Sequence, residues 1–293
     1  MQSEDTPKGF ALGLTAYFLW GFLPLYMKAV AHIPAVEISA HRVIWSIPVA
    51  GAVLVWLGRT ADLKAALRSP RTIGMAAMTA ALISVNWGIY VWSIASGHAL
   101  EAALGYYINP LFSVFLGAVL LGEKLRPAQW AAIGLAAAAV LVLTVENGRI
   151  PYVGLSLTLT WGIYAYLKKS LPVGPNQGFL LEVLMLAPPA LVYILWLAAQ
   201  GTGHFLVGVQ SDTWLILGLG LVTAGPLMIY GNAAKLLRLS TIGVMQYIAP
   251  TMIMLIAVFL FDEPFGHARA IAFPMIWAAL ALYTWSMLRA RRG

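Results

Sequence analysis

Ten runs of about twenty mostly apolar residues follow one another along this chain, near 9–30, 37–57, 73–94, 100–121, 129–145, 150–168, 177–199, 213–233, 240–261 and 268–288. A helix needs about 20 such residues to cross a bilayer. The runs therefore predict an all-α polytopic membrane protein with ten transmembrane helices. Strands of a barrel would alternate polar and apolar residues with period two, whereas these runs are apolar on every face. Most of the charge sits in the breaks, as at Asp62 and Lys64 or at Glu123, Lys124 and Arg126. Only 10% of the chain is charged, against about 25% in a soluble domain. Eighteen Lys+Arg and eleven Asp+Glu cannot cover a water-soluble surface for 293 residues, so a soluble enzyme, a disordered chain and a secreted scaffold are excluded. The absence of cysteine excludes a disulfide framework and thiolate metal sites. Several joins are short, which makes consecutive helices antiparallel neighbours. The longest, about 58–72 and 200–212, hold at most a short surface helix. No small-residue cleavage site follows the first run, which reads as an uncleaved span.

The net charge of +7 would point to nucleic acid in a soluble protein; here its distribution points to the membrane. With the N-terminus in the cytoplasm, the inner segments hold Lys8, Arg59, Lys64, Arg68, Arg71, Lys124, Arg126, Lys168, Lys169, Lys235, Arg238, Arg289, Arg291 and Arg292. Lys28, Arg42, Arg149 and Arg269 are left over. Fourteen against four obeys the positive-inside rule and favours an even number of spans, with both termini in the cytoplasm.

The chain also repeats itself. Gly13-Leu14-Thr15, Trp20-Gly21 and Lys28 in the first span recur as Gly154-Leu155-Ser156, Trp161-Gly162 and Lys169 in the sixth, always 141 residues on. Tyr107-Ile108-Asn109-Pro110 and Glu123 recur 140 residues later as Tyr247-Ile248-Ala249-Pro250 and Glu263, and Tyr90 as Tyr230. Ordered matches at nearly one offset predict a duplication, with halves at 9–145 and 150–288. Five spans per half is odd, so the second copy enters the membrane from the opposite side. The expectation is an inverted-topology repeat around a central cavity, a frequent design of secondary transporters.

With Glu37-Ile38-Ser39-Ala40-His41-Arg42, Leu100-Glu101-Ala102-Ala103-Leu104-Gly105-Tyr106-Tyr107-Ile108-Asn109-Pro110 and Gln246-Tyr247-Ile248-Ala249-Pro250-Thr251, the chain resembles the drug/metabolite transporter superfamily. It is most similar to EamA-type, RarD-like permeases and the related YddG-like aromatic amino-acid exporters. The resemblance covers about residues 9–288 and implies two EamA-type five-helix halves around a central cavity, with no ATPase domain. RarD-like proteins take their name from chloramphenicol sensitivity, and the YddG-like ones are understood as amino-acid exporters.

Polar and aromatic residues near the span midpoints mark the faces that turn away from lipid, where donors and acceptors must find partners or water. The candidates for substrate binding are Tyr17, Trp20, Asn86, Tyr90, Tyr106, Tyr107, Asn109, Trp161, Tyr164, Tyr230 and Gln246. Thr223 and Pro226 share the eighth span with Tyr230. Asn86, Asn109 and Gln246 serve equally well as interhelical hydrogen-bond glue. Pro110 and Pro250 each remove a mid-helix hydrogen bond and form a candidate hinge pair that frees the carbonyls of Tyr106 and Gln246; simple kinks are the alternative. Charges inside spans are rare and weighed singly. Glu37, His41 and Arg42, at the outer end of span two, read either as an ion pair pinning the helix or as an outer gate responsive to protons. Glu101 suits a helix N-terminus. Glu182 has no obvious partner, and Glu123 and Glu263 read as structural.

Enzyme signatures are absent: no His-Glu-x-x-His, no Gly-x-Ser-x-Gly and no Walker A loop. No metal, cofactor or nucleic-acid partner is expected, and no channel filter is marked. The expected protein is an inner-membrane secondary transporter in the bacterial lipid bilayer. Its expected cargo, drawn mostly from the resemblance, is amino acids, aromatic and other apolar ones included. The alternative is efflux of neutral drugs or metabolites. The inferred cavity is aromatic, with amide and hydroxyl groups and no fixed charge.

Overall fold

Proline and glycine punctuate the helices of this chain. The computed structural model describes residues 6–58, 60–121, 125–169, 171–207, 209–233, 236–237, 241 and 245–289. Among them are eleven helices: α1 Pro7–Ala29, α2 Ala35–Trp56, α3 Thr60–Leu67, α4 Pro70–Ala95, α5 Ala99–Leu121, α6 Pro127–Asn147, α7 Tyr152–Lys169, α8 Pro175–Gln200, α9 Gln210–Ala233, α10 Ile248–Phe259 and α11 Gly266–Arg289. α1, α4, α6 and α8 begin with proline, whose missing N–H is no loss in a first turn. Thr6 and Ser69 accept from Gly9 N and Thr72 N as N-caps. Gly148 and Gly201 stop α6 and α8 at φ of 62° and 66°, the left-handed conformation in which glycine has no Cβ penalty.

Eight helices (α1, α2, α4, α5, α6, α8, α9 and α11) are long and apolar enough to cross a bilayer. The expected sixth and ninth spans differ from that standard. α7 has 18 residues, and Ser156, Thr158, Thr160, Lys168 and Lys169 dilute its apolar character. α10 has only 12 and is preceded by a turn at Gln246 and Tyr247. Pro250 therefore lies in the first turn of α10 and not in mid-helix, where Pro110 does lie within α5. The two prolines do not have matching helical environments, because a first turn tolerates a missing N–H that a helix interior does not. Glu123 lies outside the described residues. The 58–72 connection holds α3, as expected.

The polarity of the assembly is that of a protein in lipid. Trp56, Val145, Val192 and Phe259 are exposed, while Glu37, Arg42, Asn86, Glu182 and Thr223 are buried. Polar side chains that find no partner in hydrocarbon turn to the interior of the helix bundle.

The helices of 9–145 and 150–288 interleave. α1 packs on α9 and α10, α7 on α4 and α5, α2 on α8 and α9, and α6 on α11. Small residues permit the closest approaches. Gly105 of α5 meets the main chain of Gly154 in α7, and Gly220 of α9 meets that of Trp45 in α2. Thr158 reinforces the first crossing by donating to the carbonyls of Gly105, at 3.0 Å, and Gly154, at 2.8 Å. Glu263, expected to be structural, caps α5: its carboxylate accepts from Ala99 N at 2.7 Å and Leu100 N at 3.0 Å. Beside it Glu101 pairs with Arg149 at 3.1 Å.

Candidate functional site: a central aromatic cavity

The inward faces of α1, α2, α4, α5, α7, α9 and α10 enclose a cavity of about 150 Å³. Nine of the eleven sequence candidates line it: Tyr17, Trp20, Asn86, Tyr90, Tyr106, Asn109, Trp161, Tyr230 and Gln246. One wall is an aromatic triangle across α1 and α9. Tyr17 meets Trp20 edge-on at 5.6 Å and Tyr230 at 5.8 Å, and Trp20 lies 5.3 Å from Tyr230 between ring centroids. These spacings suit edge-to-face aromatic attraction. Elsewhere in the lining Tyr90 meets Tyr106 edge-on at 5.9 Å. Asn86 lines the cavity and also acts as glue: its amide donates to Leu157 O at 3.1 Å and Thr160 Oγ1 at 2.9 Å, tying α4 to α7. Asn109 Oδ1 and the Tyr90 hydroxyl are buried without a hydrogen-bond partner.

Tyr107 and Tyr164 lie elsewhere. Successive helical residues point about 100° apart, so with Tyr106 on the cavity Tyr107 turns toward α11. It bonds Thr251 Oγ1 of α10 at 2.6 Å and packs edge-on against Phe273 of α11. Tyr164 turns to α8 and donates to Glu182 Oε2 at 3.2 Å. Glu182, without a partner in the sequence reading, is also ion-paired with Lys168. A buried carboxylate needs such donors and a countercharge, which explains why Tyr164 leaves the cavity. It also gives Lys168 a role beyond anchoring.

The triad Glu37, His41 and Arg42 divides. Glu37 is gripped by the α8–α9 connection: it accepts from His204 N at 2.7 Å and His204 Nδ1 at 2.8 Å, whereas His41 Nε2 stays 4.0 Å away. The Glu37–His41 pair stays at the outer limit of an ion pair, and the closer hold on Glu37 comes from a residue 167 positions on. Phe205 packs beside this latch, 5.3 Å from the rings of both His41 and Trp45.

Arg42 belongs to the cavity itself. Its Nε donates to Thr223 Oγ1 at 3.0 Å, and its guanidinium lies 4.8 Å from the centre of the Trp87 ring. The cavity does carry a fixed charge, contrary to the sequence reading. The available signal was depth: Arg42 lies about two turns inside α2, and charges so placed face the bundle interior. Trp87 and Thr223 complete this corner. Trp87, next to Asn86 on α4, is a lining residue that the sequence reading missed.

These features define a polytopic helical membrane protein built around a solute-sized cavity fed by residues from both halves. The model of the EamA-like transporter family matches residues 7–145. The protein RarD of Streptomyces exfoliatus is 42% identical over 293 residues, covering 100% of this chain and 93% of its own. The chloramphenicol-sensitive protein RarD of Pseudomonas aeruginosa is 31% identical, covering 98% of each chain. A solved crystal structure, 22% identical and covering 94% of this chain and 96% of its own, shares the fold at a TM-score of 0.61. The chain belongs to the EamA/RarD-like permeases of the drug/metabolite transporter superfamily.

Proposed function

We propose that this permease is a secondary transporter of the bacterial inner membrane, with both termini cytoplasmic, exporting amino acids with aromatic and other apolar side chains. The observation that carries this reading is the central cavity. Its aromatic walls suit an apolar side chain, and Asn109, Tyr90 and Arg42 offer polar contacts. Transport proceeds by alternating access between two inverted five-helix repeats. The matched positions support such repeats: Trp20 and Trp161 both line the cavity, and Gly21 and Gly162 both receive a side chain from the facing helix, Met252 and Phe112 respectively.

Purified protein in liposomes tests this reading. Labelled phenylalanine or tryptophan is expected to cross down its gradient without ATP. Flux that required ATP, or the appearance of a chemically altered product, would remove the secondary-transporter reading. Efflux of neutral drugs is the second reading, favoured by the similarity to the chloramphenicol-sensitive protein RarD of Pseudomonas. Chloramphenicol flux in the same liposomes, without amino-acid flux, would select it.

A further inference from the structure

The cavity holds one charged side chain among its described lining residues, and that charge has no counterion. Arg42 is buried, with 3% of its surface exposed. Its partners are neutral: the Thr223 hydroxyl on Nε and the Trp87 ring face. Its Nη1 is buried without any hydrogen-bond partner. Among the described residues no carboxylate comes within ion-pair distance of it. Glu37, five residues away on α2, is committed to His204. A buried cation left in this state is costly unless something pairs with it. A guanidinium with Nε occupied still offers its terminal nitrogens to a planar anion.

We propose that Arg42 is the carboxylate anchor of the cavity, and that its substrates are apolar or aromatic monocarboxylates in which the carboxylate is required and an amino group is dispensable. This deepens the amino-acid reading and rests on the same site. A single cation neutralises a single negative charge, which disfavours phosphate dianions and dicarboxylates. No acidic residue is among the described lining residues, so an ammonium group meets dipoles and ring faces: Asn109 Oδ1, the Tyr90 hydroxyl and the aromatic triangle. These tolerate a cation or an apolar group alike. Trp87 holds the guanidinium from its face while Thr223 fixes its edge, so the fork is oriented before substrate arrives.

The test uses the fluorescence of the cavity tryptophans Trp20, Trp87 and Trp161 to read binding to the purified protein. Four ligands share one ring and differ in their ends: phenylalanine, 3-phenylpropanoate, 3-phenylpropanamide and phenethylamine. Phenylalanine and 3-phenylpropanoate are expected to bind. The amide and the amine should bind about tenfold or more weakly, as loss of a charge-assisted hydrogen bond implies. Arg42→Gln should erase the preference for acid over amide, and Arg42→Lys, which keeps the charge without the fork, should retain part of it. Equal binding of acid and amide by the unaltered protein, binding of none of the four, or an acid preference that survives in Arg42→Gln would overturn the assignment. Acid-selective binding with no flux of any carboxylate in liposomes would leave the anchor standing and overturn the transporter reading instead.

Discussion

Trp20 and Trp161 illustrate how much one side chain can settle. They occupy matching places in the two halves and both reach the cavity, but their surroundings differ. Trp20 is wedged against Tyr17 and Tyr230, whereas the ring recorded against Trp161 is Tyr164, at 5.6 Å. Trp161 is therefore the better probe, because its loss disturbs fewer rings. Trp161→Leu is expected to leave expression intact and weaken binding of tryptophan and phenylalanine by about 1 kcal/mol, the size of one aromatic pair. Threonine should be affected less. Competition against labelled substrate in liposomes measures the three together, and an equal loss for all of them would assign Trp161 to packing alone.

Between elements, the crossing of α5 and α7 leaves little tolerance. A Cβ on Gly105 would sit 2.5 Å from the carbonyl oxygen of Gly154, so a larger residue must push the helices apart and strain the hydrogen bonds of Thr158. Gly88, in α4, faces open space. Gly105→Val should destabilise by about 1–3 kcal/mol, as overpacking generally does. Gly88→Ala should leave stability unchanged or raise it, since alanine is the better helix former. Thermal unfolding in detergent compares the two, and equal melting temperatures would show that the crossing tolerates separation. The latch of Glu37 on His204 and the cap of Glu263 on α5 work at the same scale: each is a buried carboxylate holding main-chain N–H groups of a distant segment.

For the whole molecule, the distribution of basic residues predicts an orientation without reference to packing. Fourteen of the eighteen lie in segments that share one side if the N-terminus is cytoplasmic. Reporters fused after Gly293 and within 58–72 should both report cytoplasm, and an external signal at either position would overturn the topology. α7 and α10 matter most to this prediction. They stand outside the eight helices long and apolar enough to cross a bilayer, and the proposed count of five spans per half depends on both. α10 is short because its entry is a turn followed by a first-turn proline, which places Gln246 at the cavity on irregular backbone. Backbone of that kind at membrane depth is tolerated where it is buried in protein or lines a cavity.

Local chemistry determined what could be read from the sequence. Apolar run length announces helices that cross a bilayer. Prolines and glycines mark many of their ends, and polar or aromatic residues in mid-span mark the inward faces. Tyr17, Trp20, Asn86 and Tyr230 were legible for that reason, as was the short helix in the 58–72 connection. Only the tertiary structure decided which of two adjacent tyrosines faces the cavity, that Tyr164 answers to Glu182, that Glu37 is held by His204 and that Arg42 stands in the cavity wall. Each of these depends on how helices distant in sequence rotate and slide against one another. That geometry is set by side chains meeting across the bundle, where a rotation of about 100°, one residue on a helix, exchanges the lining of a cavity for the packing of a core.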